Sequence, residues 1–133
     1  MIPPGSTIGI LGGGQLGRML ALAAAQLGYR CHVFAPEEDS VAAEVAAEFT
    51  SAAWSDRNAM AHFANACDVV TYEFENVPVG PLSAIAPGKL LPSARALEVA
   101  QDRLSEKAFC QDQGGRPARS PKAGRPVRSR TRK

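Results

Sequence analysis

Thr7-Ile8-Gly9-Ile10-Leu11-Gly12-Gly13-Gly14-Gln15-Leu16-Gly17 is the stretch that decides the fold. Its first five residues are a short apolar run of β type, stopped at once by glycines, and they read as a buried strand. Beyond the glycines, Leu16, Met19, Leu20, Ala23 and Leu27 recur at spacings of three and four, the pattern of an amphipathic helix. Gly28 then stands where a helix C′ residue is expected. Gly12-Gly13-Gly14-Gln15-Leu16-Gly17 itself fits G-x-G-x-x-G, between a strand and a helix, which is the context the motif requires. The first glycine allows a tight turn, the second a close approach of ligand to backbone, and the third close packing of helix on strand. The N–H groups and positive dipole end of such a helix suit an anion or phosphate. The plainer alternative is a tight turn and nothing more.

Working outward, Cys31-His32-Val33-Phe34 reads as a second strand, broken by Pro36. Ser40 is placed to cap a helix over Val41 to Ala47, with Glu44 in its early turns. A weaker third strand runs from Phe49 to Trp54, and Asp56 caps a helix through Asn65. Asp68 to Glu73 is the clearest later strand, and Pro78 to Ile85 can hold a short helix. Lys89-Leu90-Leu91 suggests a short fifth strand, and Ser93 caps a last helix to about Gln111. Strands alternating with helices imply an α/β domain: a Rossmann-like parallel sheet with helices on both faces and right-handed crossovers.

A nicotinamide dinucleotide is the obvious ligand for such a glycine loop. That reading wants an acid at the end of the second strand to hold the ribose hydroxyls. The strand ends Val33-Phe34-Ala35-Pro36, and the acids Glu37-Glu38-Asp39 follow the proline, where a solvated loop is the simpler reading. Tyr72-Glu73-Phe74-Glu75-Asn76-Val77-Pro78 is more unusual. Strand alternation puts Glu73 and Glu75 on one side and Tyr72 and Phe74 on the other. With strand order 3-2-1-4, this segment and the glycine loop flank the same crevice outside the carboxyl ends of the strands. Two carboxylates there can receive amino or hydroxyl groups of a ligand. The alternative is a solvated strand end.

Composition bounds these readings. The chain has 133 residues, 45% hydrophobic and 21% charged, enough for one folded domain with a tail. No stretch approaches a membrane span, and the N-terminus lacks a signal-peptide layout. Cys31, Cys67 and Cys110 are scattered, which disfavours a disulfide scaffold or zinc site and fits a cytoplasmic location. His32 and His62 share no metal-ligand spacing, so both read as structural or surface residues, and Trp54 reads as packing. The charge of +2 hides two opposite parts: residues 1–113 hold seven Lys/Arg against all thirteen Asp/Glu, and residues 114–133 hold eight Lys/Arg and no acid. The expected division is a folded domain over 1–112 and a disordered basic tail over 113–133. The tail's Arg, Pro, Ala and Gly match an out-of-frame reading of GC-rich DNA or a truncation. The rival is a nucleic-acid-binding arm, although no aromatic is interleaved for stacking.

Three stretches in order, Gly12 to Leu20, Thr71 to Pro78 and Gln101-Asp102-Arg103-Leu104-Ser105-Glu106-Lys107, resemble those of the N5-carboxyaminoimidazole ribonucleotide synthase family, the ATPase subunit of phosphoribosylaminoimidazole carboxylase. The resemblance covers roughly residues 5–112. It implies a pre-ATP-grasp domain from an ATP-grasp ligase that uses ATP, Mg2+ and bicarbonate to carboxylate 5-aminoimidazole ribonucleotide in purine biosynthesis, through carboxyphosphate. It implies that Gly12, Gly14, Gln15, Leu16, Glu73 and Glu75 line the ribonucleotide pocket and that Arg103 contacts ATP; the family commonly forms a homodimer. Without the resemblance, Arg103 reads as a helix-surface ion pair with Glu106. Residues for metal and catalysis belong to later domains of the family, so the 133-residue chain is expected to be inactive alone. The alternatives are a non-catalytic nucleotide-binding module and an NAD-binding oxidoreductase fragment.

Overall fold

A computed structural model describes residues 1–117; the basic stretch expected to be disordered lies outside the described residues from Ala118 on. Four strands form one parallel sheet: β1 Thr7–Leu11, β2 Arg30–Ala35, β3 Glu48–Ser51 and β4 Val69–Tyr72, in the spatial order β3-β2-β1-β4. The register sets Ile10 beside Val33 and Thr71, and Leu11 beside Phe34 and Tyr72. Side-chain alternation sends each strand's residues to two separate cores. Ile10, Cys31 and Val33 pack on one face, against Ala21 of α1 (Gln15–Gln26). Leu11, Phe34 and Val70 pack on the other, against Met60 and Phe63 of α2 (Arg57–Ala66), Leu82 of the 3-10 turn Gly80–Ala84, and Leu97 of α3 (Ala94–Gln101). Gly9 belongs to this second face: a Cβ there would lie 2.8 Å from both the Phe63 ring and the Cys67 sulfur.

Local chemistry accounts for the element ends. Asp56 caps α2 by accepting the Ala59 N–H at 2.9 Å, and Gly28 follows α1 at φ 81°. Four expectations are corrected. The apolar stripe of α1 does not face the sheet: Gly17 and Ala21 do, because a Cβ on Gly17 would already stand 2.6 Å from the Gly12 carbonyl, and only small residues allow that approach. The segment after Ser40 is a series of turns rather than a helix. Its Ser40 hydroxyl and Ala42 N–H both donate to the Gly13 carbonyl, at 2.8 and 3.1 Å, so the cap is spent on the glycine loop. The fifth strand reduces to one parallel bridge, Leu90 to Val70. The final helix is two, α3 and α4 (Arg103–Asp112), broken at Asp102, which adopts φ −108° and ψ 117° and caps α4 through the Ser105 N–H at 2.7 Å. Helix α4 has no buried residue.

Candidate functional site

The strand order reverses between β1 and β4, and a cavity of about 410 Å³ opens there at the carboxyl ends of the strands. Each strand delivers part of its wall: Gly12 to Gly14 after β1, Glu37, Asp39, Ser40 and Val41 after β2, Trp54 after β3, Glu73 and Phe74 after β4. Gly12 turns the chain at φ 126°, and its backbone leaves room for the Glu73 side chain, whose Cγ would be 2.7 Å from a Cβ at that position. Glu73 Oε1 accepts the Gly14 N–H at 3.1 Å, at the N-terminus of α1. The group that approaches the second glycine is thus the protein's own carboxylate. Trp54 lies between two rings, 5.5 Å from Phe34 and 6.2 Å from Phe74, nearly parallel to the latter at 15°.

Of the residues singled out in the sequence, the cavity brings together Gly12, Gly14 and Glu73. Gln15 and Leu16 lie exposed on the first turn of α1, outside the cavity wall. Glu75 is exposed beyond the end of β4 rather than alternating with Glu73 along it, and its carbonyl accepts the Gln101 amide at 2.9 Å. That amide also bonds the Val77 carbonyl at 2.7 Å, so Gln101 ties α3 to the segment after β4. Arg103 stands at the start of α4 with its guanidinium on Glu106. The acidic run after Pro36 is not merely solvated: Glu37 and Asp39 line the cavity, as does Trp54. The signal for them was positional, since everything just past the carboxyl end of a strand near the switch point can reach the crevice.

The lining therefore offers three carboxylates, one hydroxyl, backbone N–H groups and an aromatic wall. No Lys, Arg or His lines it. Such a surface accepts hydrogen bonds from hydroxyl or amino groups and packs against a flat ring. Its one hydroxyl, that of Ser40, donates to the Gly13 carbonyl. Two cysteines lie buried away from the cavity. Burial lifts the Cys31 thiol above its usual range and pushes Cys67 up to about 12, which keeps both as thiols. Among the described residues, no group of three or more His, Cys, Asp and Glu could hold a metal ion, and no helix is long and apolar enough to cross a membrane.

A β3-β2-β1-β4 parallel sheet, covered on both faces and carrying its glycine loop at the switch point, defines a Rossmann-like α/β domain. Residues 5–101 match the family model of the ribonucleotide synthetase preATP-grasp domain, and the chain belongs to that family. It is 52% identical over 114 residues to the N5-carboxyaminoimidazole ribonucleotide synthase of Brucella melitensis, covering 85% of this chain and 32% of that protein. Among solved structures, the N5-carboxyaminoimidazole synthetase of Staphylococcus aureus complexed with ADP superposes with a TM-score of 0.79 at 39% identity, over 85% of this chain and 31% of that one. The N5-carboxyaminoimidazole synthase of Aspergillus clavatus, in complex with ADP and 5-aminoimidazole ribonucleotide, gives 0.72 at 31% identity, over 84% and 30%. The chain thus spans about a third of the length of these relatives.

Proposed function

We propose that this chain is the ribonucleotide-binding N-terminal portion of an ATP-dependent ligase that carboxylates 5-aminoimidazole ribonucleotide with bicarbonate in purine biosynthesis. The observation that carries this reading is the meeting of Glu73 with the glycine loop at the switch point, in a domain of this family. In it, Glu73 and the neighbouring acids accept hydrogen bonds from the ribose hydroxyls, while backbone N–H groups at the α1 terminus face the phosphate. Gly12, Gly14, Gln15 and Leu16 belong to that contact through backbone atoms, Glu75 borders it, and Arg103 reaches ATP across the junction that α4 begins. ATP, Mg2+ and bicarbonate serve the whole ligase, which works in the cytoplasm as a homodimer. In this reading, the domain's part is to bind and orient the ribonucleotide.

Trp54 makes the test direct, because it is the single tryptophan of the chain and forms part of the cavity wall. Titration with 5-aminoimidazole ribonucleotide should change its emission saturably. Glu73→Gln should weaken that binding about tenfold, as expected when a hydrogen bond to a charged acceptor becomes a neutral one. Saturable binding of NAD instead, with no response to the ribonucleotide, would overturn the reading in favour of an oxidoreductase fragment.

A further inference from the structure

The segment that carries Glu73 and Phe74 beyond β4 is held from two sides. On the β1 side, the Leu11 carbonyl accepts the Glu73 N–H at 3.0 Å and the Phe74 N–H at 3.4 Å, and the Phe74 carbonyl accepts the Val77 N–H at 3.4 Å. The two bonds at Phe74 are longer than an N–H to oxygen bond normally is. On the α3 side the bonds are shorter: the Gln101 amide donates to the Glu75 carbonyl at 2.9 Å and to the Val77 carbonyl at 2.7 Å. A carboxamide nitrogen carries two N–H donors, so one side chain can clip two carbonyls that lie two residues apart. The helix aims Gln101 at them. Leu97, four residues earlier and so on the same face, is buried in the larger core together with Val77. At Asp102 the backbone turns extended, which makes Gln101 the last residue of α3.

Phe74 sits between Glu73 and Glu75. Its ring is 39% exposed and packs in neither core, yet it lines the cavity 6.2 Å from Trp54 and nearly parallel to it. A ring with so little packing of its own stands where its backbone puts it. We infer that Gln101 is a positioning residue for the cavity: by clipping Glu75 to Val77 it fixes the turn that holds Phe74 against Trp54, and so sets the aromatic wall on which a flat ligand ring packs. Gln101 is not itself part of the cavity wall, so it acts through Phe74. The use of that wall by a ligand rests on the ribonucleotide reading above; the placement of Phe74 does not.

The experiment uses the full 133-residue chain, whose single tryptophan is Trp54. Gln101→Glu keeps the shape of the side chain and removes both donors. Gln101→Lys restores donors, and Gln111→Glu on α4 makes the same charge change away from the turn. Without ligand, Gln101→Glu should raise acrylamide quenching of Trp54 about twofold, because the aromatic partner no longer covers one face of the indole. Its affinity for 5-aminoimidazole ribonucleotide should fall about tenfold, as the loss of two hydrogen bonds allows. Gln101→Lys should return both values toward those of the parent chain, and Gln111→Glu should leave them unchanged. Urea midpoints establish that each variant is folded when it is read. A folded Gln101→Glu chain with the parent's quenching would overturn the inference and leave Gln101 a tie between α3 and the turn. Equal losses in Gln101→Lys and Gln101→Glu would overturn it as well. If the ribonucleotide bound no variant and not the parent, the ligand reading would fail, while the quenching of Trp54 would still decide the role of Gln101.

Discussion

Glu73 takes one of the N–H groups that an anion uses at the start of a helix. A ligand anion and the carboxylate therefore compete for the loop, while hydroxyl and amino groups find acceptors in Glu73, Glu37 and Asp39. His32 shows a different use of burial. Its Nε2 pairs with the Thr50 hydroxyl at 2.8 Å, its Nδ1 has no hydrogen-bond partner, and Phe63 meets the ring edge-on at 4.8 Å. Burial lowers its pKa from 6.5, with Glu48, 3.7 Å from Nδ1, acting partly the other way. The unfolded chain thus takes up the proton more readily than the folded one. Stability from the neutral ring is fully present above pH 6.5 and is lost as pH falls below it, through the lower folded pKa. Urea midpoints measured from pH 7.5 to 5.5 should fall with acidification, and His32→Gln should flatten that slope.

Helix ends are the elements whose chemistry is most local. Asp56 holds the Ala59 N–H, one of the donors that the first turn of α2 cannot satisfy internally. Asp56→Ala should cost about 1 kcal/mol, read as a lower urea midpoint with an unchanged slope. Phe63 and Met60 of that helix lie in the larger core, so the loss should be global rather than a fraying of one end. Asp102 acts more subtly. The Ser105 N–H, bonded to its carboxylate, holds that carboxyl below the usual range, and the same bond divides a helical sequence into α3 and α4. Gln101, just before the break, then anchors α3 to the Glu75 and Val77 carbonyls.

For the whole molecule, all four loops that build the cavity stand on one end of a single sheet. On the proposed reading, and since the chain spans about a third of the length of its relatives, the purified 133-residue chain should bind 5-aminoimidazole ribonucleotide without hydrolysing ATP in response to it. Phosphate release above background, dependent on the ribonucleotide, would contradict that division of labour.

The sequence by itself determined the alternation of strands and helices, the glycine turn and the caps at Asp56 and Ser93. Each follows from side chains within a few residues, or from the rule that parallel strands need covered crossovers. The association of Glu73 with the glycine loop was legible for the same reason, since both sit at carboxyl strand ends beside the switch point. Tertiary structure alone decided the rest. Periodicity marks an apolar stripe on α1 but cannot say that Gly17 and Ala21 must face the sheet, because the 2.6 Å approach to the Gly12 carbonyl exists only after β1 and α1 pack. Ser40 had the chemistry of a helix cap, yet the Gly13 carbonyl, 27 residues away in sequence, competed for its hydroxyl and won. Glu37, Asp39 and Trp54 carry no local mark of a site. They enter it because the fold brings the ends of β2 and β3 to the crevice, and that convergence depends on contacts far apart in the chain.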